Sequence, residues 1–83
     1  MSGISYMTQG GYDKLRSELD ILKTKGRDDA AKAIAEAREK GDLSENAEYD
    51  AAKNAQGMLE LKINDMEKAL ANVRIISEDQ LDN

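Results

Sequence analysis

Apolar residues in the first half of the chain fall at Tyr12, Leu15, Leu19 and Leu22, in steps of three, four and three. That spacing lays them along one face of an α-helix with heptad character. Thr8 stands where an N-cap belongs, because its hydroxyl can accept from a first-turn amide. Met7 and Tyr12 occupy the two positions of a hydrophobic staple. Past Leu22 the stripe loses register at Gly26-Arg27-Asp28-Asp29 and resumes at Ala30, Ile34 and Ala37, which predicts a kink or local irregularity near Gly26. Gly41 ends the pattern and suits a C′ position in the left-handed region.

The second half carries a longer seam. Leu59, Ile63, Met66, Leu70 and Val73 step by four, three, four and three. Upstream the seam thins to Ala47, Ala51 or Ala52, and Ala55, and downstream Arg74-Ile75-Ile76-Ser77 could start a strand. A connection as short as Gly41 to Ser44 makes the two helices antiparallel neighbours, with residues whose numbers sum to about 86–88 facing each other. Leu15 then meets Val73 or Leu70, Leu22 meets Ile63 or Met66, and Ile34 meets Ala52. The expected fold is all-α: a long antiparallel two-helix coiled-coil hairpin over 1–75, with an acidic tip at 41–48. A parallel dimer of broken helices is the rival, and it leaves the alanine-rich parts unexplained. At about 1.5 Å per residue, some 30 residues per arm give a rod of roughly 45 Å. Its base is held by leucines, and its tip half, buried mainly through alanine, is expected to be the looser end.

Composition narrows the chemistry. The chain of 83 residues has no Cys and no His, so thiolate chemistry and the commonest general base are both excluded. Any metal must then be a hard cation taken by carboxylates, most plausibly Mg²⁺ or Mn²⁺. A net charge of −5 argues against a surface that tracks nucleic acid throughout, while leaving room for local basic patches. No apolar run approaches the roughly 18–20 residues of a membrane span, and Met1 to Tyr6 does not resemble a secretory signal. A cytoplasmic protein is expected.

The turn Gly41-Asp42-Leu43-Ser44-Glu45-Asn46 supports two readings. In the plain one, Asp42-Leu43-Ser44-Glu45 is an N-capping box, with both acids favourably placed at the positive end of a helix dipole. In the other, Asp42 and Glu45, about one turn apart, jointly hold a Mg²⁺ ion that a partner macromolecule completes, since such ions often take only one or two protein carboxylates. Glu48, Glu36, Glu39 and Asp50 add negative charge nearby.

The run Ala33-Ile34-Ala35-Glu36-Ala37-Arg38-Glu39-Lys40-Gly41-Asp42-Leu43-Ser44-Glu45-Asn46-Ala47-Glu48-Tyr49 closely resembles the signature of the Gre family of bacterial transcript cleavage factors, its GreA branch in particular. The likeness continues through Ala51-Ala52-Lys53 and Gln56-Gly57, includes Tyr6-Met7-Thr8 through Leu22-Lys23 and Asn72 to Ile76, and so covers nearly the whole chain. The resemblance implies a coiled coil that enters the secondary channel of RNA polymerase and brings its tip beside the active site. Two tip acids there help to hold a weakly bound second Mg²⁺, kept mainly by the polymerase, and activate water, so that the polymerase cleaves the 3′ end of backtracked nascent RNA. The positions matching those acids are Asp42 and Glu45. Ser44 and Asn46 match neighbouring tip positions that orient groups, and Glu48 is a supporting charge. Arg38 and Lys53 match a basic patch where RNA would lie; their plain reading is a solvated ion pair, with Asp50 within reach.

On this reading the chain is a cofactor-like stimulator of an activity intrinsic to the polymerase rather than an enzyme. It has no membrane partner and no small-molecule substrate. Two features depart from the family pattern. Members normally continue into a C-terminal domain of FKBP-like fold, whereas this sequence ends at Asn83, so 76–83 is expected to be a linker toward such a domain. The family's Arg-Pro is replaced by Arg27-Asp28, which predicts a milder kink. Two other functions fit the periodicity: a hairpin that occupies the channel without chemistry, and a structural homo-oligomerising coiled coil.

Overall fold

The computed structural model describes residues 5–41 and 46–77. In chain order the elements are a short strand β1 (Ser5–Met7), helix α1 (Gln9–Ile21), one π-helical turn (Leu22–Gly26), helix α2 (Arg27–Arg38), helix α3 (Ala47–Ala71) and strand β2 (Val73–Ile75). The first three helical pieces run on as one arm and α3 forms the other, giving an elongated body of 60 × 23 × 18 Å. The expected antiparallel helical hairpin is the architecture. Among the described residues no helix is long and apolar enough to cross a membrane.

The N-terminus of α1 forms as its sequence dictates. Thr8 is extended and its Oγ1 accepts from the Gly11 amide at 3.1 Å. Met7 and Tyr12, the two staple residues, both pack against the core cluster at the base of the rod. That cluster is built on Leu19 and Ile63, each 1% exposed, and on Leu70, with Leu15, Leu22, Leu59 and Met66 around them. Burying each such side chain is worth about 1.5–3 kcal/mol. Toward the far end Ala37 is the one fully buried residue described. The Leu-rich base and alanine-rich tip half therefore divide as the sequence suggests.

Ion pairs between the arms agree with the antiparallel register. Arg27 makes a two-point contact with Glu60, Nε to Oε2 and Nη2 to Oε1, both at 2.9 Å. Lys23 reaches Glu67 at 2.9 Å, and Lys40 reaches Glu48 at 3.0 Å.

Four details correct or sharpen the sequence expectation. The first is at the base. Ser5–Met7 pairs in parallel with Val73–Ile75, so Val73 leaves the seam and enters a strand. Bonds from the Ser5 amide to the Asn72 carbonyl (3.0 Å) and from the Ile76 amide to the Met7 carbonyl (2.8 Å) extend this clamp. The whole hairpin serves as the crossover that parallel strands require.

The second concerns the thin part of the α3 seam. Tyr49, Ala52 and Gln56 are half-buried there, while Ala47, Ala51 and Ala55 are exposed. The heptad steps of three and four thus continue unbroken from Leu59 back to Tyr49, using a phenol and a carboxamide where alanines were expected.

Third, the local irregularity expected near Gly26 is present, and it leaves the helix unbroken. The helix continues through a single π turn, in which the Thr24 hydroxyl donates to the Asp20 carbonyl at 2.8 Å. Gly26 itself lies on the seam, where an added Cβ would sit 3.4 Å from Leu59 Cδ1. The apolar stripe skips a beat because a glycine occupies its inner position. Fourth, α2 ends at Arg38 with Glu39 as its cap, so Gly41 stands one residue beyond C′, although its φ of 125° is the positive value that glycine permits.

Two measurements follow from this packing. Gly26 has an ordinary helical φ of −61°, and Leu59 leaves a methyl group normal contact distance. Gly26→Ala should therefore raise stability by about 0.5–1 kcal/mol, read as a higher Tm, by restricting the unfolded chain. The cross-arm pairs add an acid dependence. Hydrogen bonding from Arg27 holds the Glu60 carboxyl below its usual 4.5, and Lys23 does the same for Glu67. Depressed folded-state values contribute stability that is complete above 4.5 and lost as pH falls through them. Tm should hold steady down to that pH and then drop, and a Glu60→Gln/Glu67→Gln variant should show a smaller acid drop.

Candidate functional site

The far end of the rod is where α2 stops and α3 starts. The last turn of α2 tightens: the Lys40 amide bonds to the Ala37 carbonyl at 3.2 Å and the Gly41 amide to the Arg38 carbonyl at 3.4 Å. These shorter loops satisfy carbonyls that an α-helix would leave open. The chain resumes at Asn46, which is extended, and its Oδ1 accepts from the Tyr49 amide at 3.0 Å. Asn46 is therefore the N-cap of α3, with Glu48 and Asp50 in the first turn to meet the helix dipole. The capping position is not Asp42, as the capping-box reading required.

Asn46 does more than cap. Its Nδ2 donates to the Ala37 carbonyl on the opposite arm. One carboxamide thus ties the start of α3 to the end of α2, using a donor and an acceptor at once. Ala37, buried beneath this contact, leaves room for the arms to approach.

The expected site residues divide into two groups. Asp42, Ser44 and Glu45 lie outside the described residues. Arg38, Asn46, Glu48 and Lys53 are placed. The Arg38 guanidinium stands over the Tyr49 ring, 5.9 Å from its centroid, within range of a cation–π attraction. Lys53, four residues beyond Tyr49 and exposed, lies one helical turn further along the same side of α3. Among the described residues neither Arg38 nor Lys53 forms an ion pair, so the expected pairing with Asp50 is not found. Glu48 is engaged by Lys40 across the hairpin, with both partners exposed. Such a pair contributes little to stability.

Tyr49 is the residue that sequence reasoning passed over. The signal was present, three residues after a good N-cap and on the heptad register of Leu59. Among the described residues no group of three or more acidic side chains is arranged to hold a metal.

The described chain is a slender two-arm helical rod, clamped by strands at one end, and its arms are linked at the other by a segment of acidic sequence. Residues 5–75 match the family described as "Transcription elongation factor, N-terminal" that GreA and GreB share. The chain belongs to the GreA/GreB family. It is 62% identical over 82 residues to the transcription elongation factor GreA of Christiangramia forsetii, covering 99% of this chain and 52% of that protein. Against the GreA proteins of Flavobacterium psychrophilum and Flavobacterium johnsoniae the identity is 61% and 57%, over 99% of this chain and 52% of each relative. The chain thus spans about half the length of the curated relatives it matches.

The double role of Asn46 is separable. Asp caps a helix about as well as Asn but cannot donate to a carbonyl. Asn46→Asp should keep the α3 cap and lose the link to Ala37, whereas Asn46→Ala should lose both and cost about 0.5–2 kcal/mol for the cap alone. Thermal melting should rank wild type above Asn46→Asp and Asn46→Ala lowest. Faster amide exchange at Lys40 and Gly41 in Asn46→Asp would report the freed connection.

Proposed function

We propose that this hairpin is an arm that carries the Asp42 and Glu45 carboxylates into the active site of RNA polymerase through its secondary channel, where they stimulate cleavage of backtracked nascent RNA. The observation that carries this reading is the position of the α3 cap. Asn46 does the capping, so helix initiation does not account for the Asp42 and Glu45 pair. The shape supports the reading too, because a rod 23 × 18 Å in section suits insertion into a channel. So do the relatives, which carry the name transcription elongation factor.

The donor set fits a hard cation. Asp42 and Glu45 offer anionic oxygens only, and the sequence supplies no His or Cys to favour a softer metal. Two carboxylates are too few to retain Mg²⁺, so the polymerase is its main holder and this chain completes the shell. When bound, the ion supplies charge neutralisation at the phosphate and a water of lowered pKa. The residues of this chain bring negative charge to the ion side and positive charge to the RNA side. Arg38, steadied over Tyr49, and Lys53 beyond it form a basic strip suited to RNA phosphates next to the acidic turn. Asn46 positions the connection. The chain acts as a stimulating factor in the cytoplasm, and the bond-breaking activity belongs to the polymerase.

The test uses stalled, backtracked transcription complexes with Mg²⁺ and saturating amounts of the chain. Asp42→Asn and Glu45→Gln preserve size and polarity but remove the anionic ligand. Each should leave helicity and Tm nearly unchanged and lower the stimulated cleavage rate on the order of a hundredfold. Full cleavage by both variants would falsify the carboxylate role. Wild-type chain that competes for the channel yet stimulates no cleavage would establish occupancy without chemistry instead.

A further inference from the structure

Seam positions on the two arms do not keep the same beat. Along α3 the buried and half-buried residues from Tyr49 to Leu70 alternate strictly in steps of three and four. The facing arm does so only from Tyr12 to Leu22. Gly26, Ala30, Ile34 and Ala37 then follow in steps of four, four, four and three. Carried on from Leu22, the heptad would instead select Asp29, Ala33 and Glu36 after Gly26, and all three are exposed. The tip half of this arm is thus one residue out of phase with its base half, and one residue is about 100° of helix rotation.

The π turn lies between the two phases. Its closing bond runs from the Arg27 amide to the Leu22 carbonyl, five residues back instead of four, so the loop takes in one residue more than an α-turn. That surplus matches the phase difference. Its effect is felt at the tip. There α2 presents Ala37 to α3 as a buried residue whose carbonyl accepts from Asn46, and Arg38 stands over Tyr49. An α2 turned by one residue would bring Glu36 to the place of Ala37. A charged side chain would then have to fit where a methyl group now lets the arms approach.

We propose that the π turn is the joint that sets the rotation of the tip: it holds the one residue by which this arm's seam exceeds that of α3, and so turns the face of α2 that carries Ala37 onto α3. The Asn46–Ala37 tie and the Arg38–Tyr49 contact then depend on a choice of hydrogen-bond partner made between Leu22 and Arg27. The proposal rests on packing alone and is independent of the functional reading above.

Two single-residue deletions of the 83-residue chain test it, at Asp28 and at Ala35, both exposed. Without Asp28, the positions Leu22, Gly26, Ala30, Ile34 and Ala37 fall into steps of four, three, four and three, and the π turn is no longer needed. The Arg27 amide should then bond to the Lys23 carbonyl, read by NMR as a hydrogen-bond coupling moved from Leu22 to Lys23. The Arg38–Tyr49 contact should be kept, and Tm should lie within about 5 °C of the parent or above it. The lost Asp28–Lys32 pair is exposed and costs little. Without Ala35, Ala30 and Ile34 stay in one phase while Ala37 moves to the other. No single rotation then seats all three, and Tm should fall by about 10 °C or more. An Asp28 deletion that melts as low as the Ala35 deletion, or that keeps the Arg27–Leu22 bond, overturns the proposal. So does an Ala35 deletion as stable as the parent, since the surplus residue would then have no fixed place.

Discussion

Two helices laid side by side have only one line of contact, and most of this structure follows from that constraint. A residue off the seam has no second layer to cover it, so complete burial is reserved for a few positions. Leu19 and Ile63 achieve it by meeting near the base, where large side chains also gather from β1, α1 and α3. The parallel pairing of Ser5–Met7 with Val73–Ile75 adds what a bare hairpin lacks, a hydrogen-bonded closure that fixes where both arms begin. Stability is thereby concentrated at one end. The other end is free to be thin, with Ala37 and Ala52 spacing the arms where leucine would spread them.

Charge follows the same geometry. Side chains flanking a single seam can reach across it, and Arg27–Glu60 and Lys23–Glu67 do so just beyond the leucine cluster. Lys23 lies within the π turn and Arg27 directly after it, where Gly26 leaves the seam short of apolar contact. Exposed pairs contribute modestly, but these also disfavour a shifted register, since a slip of one residue would break the two-point Arg27–Glu60 contact. Near the tip the devices change from packing to polar ties. Lys40–Glu48, Arg38 over Tyr49, and above all the bridging carboxamide of Asn46 hold the arms together where hydrophobic contact has run out.

How much of this the sequence discloses depends on whether a local pattern or a choice between partners decides the outcome. The seam was legible because Leu59, Ile63, Met66 and Leu70 repeat at heptad steps, and Thr8 announced the start of α1. The strands were legible only in part: Arg74 to Ser77 already suggested one overlapping β2, whereas the three residues of β1 are too few for an alternating pattern and gain their partner only after the chain returns. Gly26 reads in isolation as the place of a kink or irregularity, and only the presence of Leu59 opposite shows it as a seam position. At the tip the sequence reading took Asp42 with Glu45 for the cap; Asn46, followed by Glu48 and Asp50, satisfies the same local rules, and its bond to Ala37, a tertiary contact, goes with its being the cap. The proposed part played by Asp42 and Glu45 was legible through family resemblance alone, because two acids in a turn are chemically ordinary.

The proposed pair of carboxylates, Asp42 and Glu45, has consequences for control. Were the tip able to hold its own cation, the arm would arrive with its charge neutralised, and its chemistry would be independent of its partner. With only two carboxylates, affinity for the ion is set jointly, so the proposed activity arises only when rod and polymerase together complete the shell. The precision of that assembly then rests on the frame around the turn. Asn46 supplies it by coupling the helix start to the opposite arm, which places the connection under the control of two helices rather than one. Rigidity is thus placed at the two ends of the turn, in the last turn of α2 and the cap of α3.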